Sequence, residues 1–209
     1  MSKKNLLCFD IDGVLLNEKH WFSERWKQAF SMFNFSNQVL KDFWIIFNKN
    51  GYYYKNHIDE LGVKHPEILD FKNKLIVAFK ETVIEEKKIE NVEILLEQCS
   101  SNNYLSIISN GVFDIQYDRL LRSGLIGFFD LIICDKVNKK PSAVPYKMTK
   151  FYYNVDNCFY VGNEYDSDFI GAKSENFTTI YYNVKNQKFS KSLVDYSINN
   201  ILDIKKIIS

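Results

Sequence analysis

The chain has 209 residues, enough for one large domain or for a domain with an insertion, and 46% of them are hydrophobic, which rules out wholesale disorder. Its 27 basic and 26 acidic residues leave a net charge of +1, which gives no electrostatic footprint for nucleic acid or an acidic membrane surface. No apolar run approaches the ~18 residues of a membrane span, and no signal-peptide pattern opens the sequence. Cys8, Cys99, Cys134 and Cys158 form no CxxC pair, so they are expected to be structural thiols in a reducing cytoplasm.

In chain order, "LLCFDIDGVLL" (6–16) comes first. Its apolar start reads as a buried strand, and two carboxylates, Asp10 and Asp12, followed by Gly13, are costly there unless paired, hydrogen-bonded or bound to a cation. A strand ending in an Asp-Gly turn is the bland reading; acids placed at a strand's end for chemistry is the sharp one. Residues 17–85 then read as helices. Phe22, Trp26, Ala29, Phe30 and Phe33 recur at three- and four-residue steps along one helix face. Ser23 and Ser36 are expected as N-caps, Gly62 as a helix stop and Pro66 as a first-turn residue, and residues 65–83 read as one helix. His20, His57 and His65 fall in this segment without ligand spacing and are expected in packing or surface roles.

From "NVEILLEQCSSN" (91–102) onward helices alternate with strands: "YLSIISNG" (104–111), "FFDLIICD" (128–135), "NCFYVGN" (157–163) and "FTTIYYNV" (177–184), with a short "YSI" and a last helix closing the chain. Such alternation predicts an α/β fold: a Rossmann-like parallel sheet with helices on both faces, into which an all-helical segment is inserted. The expected division is a core of residues 1–16 and 86–209 and a helical insertion of 17–85. Ligands of parallel sheets gather at the strands' carboxyl ends. The ends at Asp10–Gly13, Ser109–Gly111 and Gly162–Glu164 are all polar and contain Gly.

Four segments in order, "DIDGVL" (10–15), "SNG" (109–111), "VNKKPSAVPY" (137–146) and "VGNEYDSDFIGAK" (161–173), carry a resemblance that covers nearly the whole chain. The sequence looks like a member of the haloacid dehalogenase superfamily, in the branch of Mg-dependent phosphatases with a helical cap after the first strand. That resemblance implies a phosphatase of small phosphorylated metabolites, such as a sugar phosphate or nucleotide, working through an aspartyl-phosphate. Asp10 would be the nucleophile and Asp12 the acid–base residue, the two pointing the same way if the strand runs through them. Lys140 would neutralise developing charge, with Ser109, the main-chain N–H of Asn110, Gly111 and Gly13 around the phosphoryl group. Mg²⁺ would be held by Asp10, the Asp12 carbonyl, Asn163 and Asp168.

Asn163 departs from the pattern, because the family usually has Gly-Asp where this chain has Gly162-Asn163. An amide oxygen brings no charge to a metal. Three readings follow: Asp168, Glu164 or Asp166 supplies the carboxylate; the enzyme works with weaker metal binding; or the chain is a catalytically weak phosphate-binding or regulatory protein. The acid two residues after the nucleophile separates this chain from the true dehalogenases, whose halide leaves unprotonated, but not from sugar-phosphate mutases. Substrate choice would lie with the cap, where Trp21, Phe22, Trp26, Phe43, Trp44, Phe47 and Tyr52–Tyr54 are its core or stack a ligand.

Overall fold

The computed structural model describes residues 5–51, 56–134 and 137–208. In chain order the elements are β1 (Asn5–Phe9), α1 (Glu18–Ser31), α2 (Asn37–Asn50), α3 (His57–Lys64), α4 (Lys72–Glu81), α5 (Val92–Ser100), β2 (Asn103–Ser109), α6 (Phe113–Arg122), β3 (Leu131–Cys134), α7 (Val144–Tyr153), β4 (Asn157–Gly162), α8 (Tyr165–Ser174), β5 (Thr178–Tyr182), β6 (Tyr196–Ile198) and α9 (Ile204–Ile208). The chain divides into two compact units, Met1–Asn17 with Glu86–Ser209, and Glu18–Glu85. Among the described residues, no helix is long and apolar enough to cross a membrane.

The first unit is a six-stranded sheet in the order β3-β2-β1-β4-β5-β6, with every pairing parallel. Successive side chains of a strand face opposite ways, and both faces of β1 are apolar because both are covered. Leu7 and Phe9 join Leu95 and Leu96 of α5, Leu120 of α6 and Ile204 of α9 in one core. Leu6 and Cys8 join Tyr146 of α7 with Phe169 and Ala172 of α8 in the other. The Rossmann-like α/β class expected from the alternation is the one observed. From β1 the chain steps outward through β2 and β3, then returns past β1 to β4. The strand order therefore reverses beside β1, where such sheets open a crevice for ligands.

In the second unit every described element is helical. Its core contains Trp26, Phe30, Phe43, Phe47, Leu61, Ile68 and Leu75. Trp26 sits 4.5 Å from Phe79 and 5.2 Å from Phe43 between ring centroids, so the expected aromatic stripe packs within the unit. Trp21 lies under the Arg25 guanidinium at 4.3 Å, and Arg25 donates to the carbonyls of Phe79 and Lys80 at the end of α4. Trp44 packs beside Phe43 and Phe47, and the expected Tyr52–Tyr54 cluster lies outside the described residues.

Local signals met mixed outcomes. Ser36 caps α2, its hydroxyl accepting from Val39 N at 3.3 Å. Ser23 is no cap: α1 begins at Glu18, and the Ser23 hydroxyl donates to the His20 carbonyl. Gly62 does not stop α3, which runs on to Lys64. A Cβ at Gly62 would stand 2.4 Å from Leu69 Cδ2, so packing explains this glycine. The single helix read over 65–83 splits into a 3₁₀ turn, Pro66–Phe71, with Pro66 in its first turn, and α4. His57 is buried against Phe43 and Phe47, and burial lowers its pKa; His65 pairs with Asp42 at 2.9 Å. The four cysteines are unbonded thiols. Burial pushes Cys134 up to about 12 and Cys99 and Cys158 to about 11, which keeps them neutral and unreactive.

Candidate active site

Strands β2, β1 and β4 run side by side in register, Phe9 opposite Ile107 and Val161, so the turns that follow them emerge at one sheet edge. β1 stops at Phe9, one residue before the first acid, and Asp10 N keeps the chain tied to β4 by donating to Val161 O at 3.0 Å. The two-residue spacing predicts Asp10 and Asp12 on one face of a strand; because β1 has already ended, both belong to the turn instead. The turn folds tightly: Leu15 and Leu16 N donate to Ile11 O at 3.0 and 2.9 Å, and Gly13 N to Leu16 O at 2.8 Å. Gly13 has a φ of +76°, and a Cβ there would lie 2.2 Å from Asn163 Nδ2, so both backbone and neighbour require glycine.

Lys140, buried, draws the acids together. Its Nζ lies 2.9 Å from Asp10 Oδ1, 2.7 Å from Asp168 Oδ1 and 2.8 Å from the Tyr160 hydroxyl. Burial alone would neutralise this ammonium, but Asp10 and Asp168 outweigh it and hold its pKa above that of a free lysine. Asp10 moves the opposite way. Burial first, eased by Lys140 and reinforced by Asp168 and Asp12, pushes its carboxyl up to about 7.

Lys140 is also held through its backbone. Asn110 accepts from Lys140 N at 2.7 Å and donates from Nδ2 to Lys140 O at 3.0 Å, so its side chain pairs with the loop as a neighbouring strand would. Asn110 thus acts here through its amide side chain, where the sequence argument uses its main-chain N–H. Ser109 ends β2, and its hydroxyl accepts from Gly111 N at 3.3 Å and from Gln116 Nε2 at 3.1 Å.

Asp168 is fully buried at the start of α8. Its Oδ2 accepts from Asn163 N at 2.9 Å and Glu164 N at 2.8 Å, and its Oδ1 faces Lys140. This geometry holds the turn after β4 and balances the lysine. A Cβ at Gly162 would meet Asp168 Oδ2 at 2.4 Å, which explains that glycine.

Three residues absent from the sequence argument complete the cluster. Arg119, buried in α6, donates from Nη1 to Asp12 Oδ1 at 2.8 Å and from Nε to Glu86 Oε1 at 3.0 Å. Gln116 Nε2 reaches Asp12 Oδ2 at 3.2 Å.

A divalent cation suits this chemistry. Asp10 and Asp168 share the Lys140 ammonium, and Asp12 and Glu86 share the Arg119 guanidinium, so carboxylate oxygens are concentrated here. Asn163 Oδ1 is buried with no hydrogen-bond partner, an orphaned acceptor beside Gly13. Among the described residues no group of three or more His, Cys, Asp or Glu side chains is spaced to hold a metal. A cation here would lean on Asp10, the Asn163 amide, the Asp12 main-chain carbonyl and water, as hard oxygen-seeking Mg²⁺ commonly does.

The model of the haloacid dehalogenase-like hydrolases matches residues 7–182, and the chain belongs to that family. None of the curated proteins is similar enough in sequence to match. Among solved structures, the chain is similar to the magnesium-bound HAD-hydrolase YfnB of Bacillus subtilis, with a TM-score of 0.77, 17% identity and 100% of each chain covered. It also resembles a predicted phosphoglycolate phosphatase of Haemophilus somnus, with a TM-score of 0.73, 19% identity and 100% of each chain covered. A protein of Thermotoga maritima described as a beta-phosphoglucomutase follows at 0.71 and 17%, over 99% of this chain and 100% of that one. Dehalogenases are among the similar structures too. These likenesses carry the fold.

Proposed function

We propose that this hydrolase is a Mg²⁺-dependent phosphomonoesterase of a small phosphorylated metabolite, with Asp10 as nucleophile. The observation that carries the reading is the buried Asp10 carboxylate paired with Lys140, with a second acid, Asp12, held two residues on by its own donors. A displaced halide needs no proton, whereas a departing alkoxide does. Asp12 supplies one.

Asp10 attacks phosphorus as the ester oxygen departs, and Asp12, protonated for this step, gives its proton to that oxygen. Lys140 and the Ser109 hydroxyl offset charge on the transferring oxygens. Asp12, now a carboxylate, then takes a proton from the water that attacks the aspartyl-phosphate and frees phosphate. Asp10, Asn163 and the Asp12 carbonyl would hold a cation, whose positive charge would keep Asp10 ionised and lessen its repulsion from phosphate. In this reading Asp168 holds the turn and Lys140, and residues 17–85 are the cap with which substrate choice lies.

Asn163 is the observation that favours a second reading, a phosphate-binding protein with little turnover. The test is direct. The purified protein hydrolyses p-nitrophenyl phosphate with Mg²⁺, and EDTA or Asp10→Asn abolishes the activity. No turnover over a panel of metabolite phosphates, with folding intact, points to the binding protein. Isomerisation of a sugar phosphate without release of phosphate points to a mutase.

A further inference from the structure

We propose that Gln116 and Arg119 of α6 are positioning residues that fix the Asp12 carboxylate for proton transfer; the inference rests on the phosphatase reading above. Each Asp12 oxygen has its own donor, Arg119 Nη1 on Oδ1 at 2.8 Å and Gln116 Nε2 on Oδ2 at 3.2 Å. Two donors on two oxygens set the plane of the carboxylate as well as its position.

The donors are themselves oriented. Gln116 Oε1 accepts from Arg119 Nη1 at 2.9 Å, which turns the amide so that its Nε2 faces both Asp12 and the Ser109 hydroxyl. Arg119 Nε in turn donates to Glu86 at 3.0 Å. One helix turn therefore links the acid–base side chain to the hydroxyl at the end of β2. Gly111 makes room for it, because a Cβ there would stand 2.3 Å from Gln116 Nε2.

Energetics argue for position rather than stability as the use of this network. Arg119 is 2% exposed, and a desolvated ion pair contributes little that well-packed apolar side chains would not. What such a cluster adds is one allowed geometry. Asp12 keeps 14% of its side chain exposed, so it is held and still reachable.

The test compares two esters that differ in leaving group, p-nitrophenyl phosphate and phenyl phosphate; the phenoxide of the second needs its proton more. Arg119→Lys and Gln116→Met are each expected to lower kcat/KM for phenyl phosphate about 10-fold or more beyond the loss on p-nitrophenyl phosphate. Equal losses on both esters would overturn the assignment. If the wild-type protein hydrolyses neither ester, the phosphatase reading fails by itself. The brace is then judged from crystal structures of the two variants. A turned or disordered Asp12 side chain, with the Lys140–Asp10 contact kept, supports it. An unmoved Asp12 in both refutes it.

Discussion

At the scale of single residues, the site is an arrangement of charges that are tolerable only together. Lys140 sits 3% exposed between Asp10 and Asp168, and removing it leaves two carboxylates buried without their cation. Lys140→Ala is therefore expected to destabilise the fold by about 3–5 kcal/mol, read from urea unfolding at neutral pH. Unchanged stability would show that the acids find another counter-charge. Asn163 is the converse case, a neutral amide with a buried, unpartnered oxygen. If that oxygen faces the cation, Asn163→Asp adds a charged ligand and tightens Mg²⁺ binding about tenfold or more by calorimetry. An unaltered affinity would remove Asn163 from the ligand set.

At the scale of elements, close backbone approaches hold the loops in place. Gly171 of α8 lies against the backbone just after Lys140: a Cβ there would stand 2.5 Å from Ser142 O and 2.7 Å from Pro141 O. Backbone cannot give way as a side-chain tip can, so Gly171→Ala is expected to cost about 1–3 kcal/mol in chemical unfolding. Asp195 ties the segment before β6 to β5, accepting from Thr179 N at 2.8 Å and from Lys173. Burial pulls its pKa up, but the bonds from Lys173 and Thr179 outweigh it and hold it below the usual carboxylate range. A depressed acid stabilises the fold above its unfolded pKa, about 4, and that stability is lost as pH falls through the lower folded value. Asp195→Asn should thus lower the melting temperature at pH 7, with the gap to wild type closing below about pH 4. A gap that persists in acid would assign the effect to shape.

The elements also show what a sequence reveals. Paired acids in an oily segment and Gly-containing polar strand ends were legible because burial makes them costly without a purpose. Arg119 and Gln116 were not. On α6, Phe113, Tyr117 and Leu121 recur at four-residue steps and suggest the inner face, yet they are 46%, 43% and 53% exposed. Gln116 and Arg119 face inward instead, because Asp12, Ser109 and Glu86 supply partners that lie far off in sequence. The hidden signal was a polar pair three residues apart, just after Ser-Asn-Gly. Likewise Gly62 reads as a helix stop and Gly162 as part of a polar strand end, while the structure explains them by the side chains of Leu69 and Asp168. Only tertiary neighbours distinguish those cases.

At the scale of the whole molecule, a parallel sheet whose strand order reverses beside β1 gathers acids and donors from five separate stretches of chain. The similar solved structures share this fold, and this chain carries at that edge an acid pair, a buried lysine and an amide with an unpartnered oxygen. The phosphatase reading requires that Asp10 become bonded to phosphorus. Acid-quenching the Mg²⁺-loaded protein during turnover of p-nitrophenyl phosphate, followed by peptide mass mapping, tests this directly. A single phosphoryl group on Asp10, absent from Asp10→Asn, is the expected result. Turnover with no phosphorylated peptide at any quench time, or with the phosphoryl group on another residue, would contradict it.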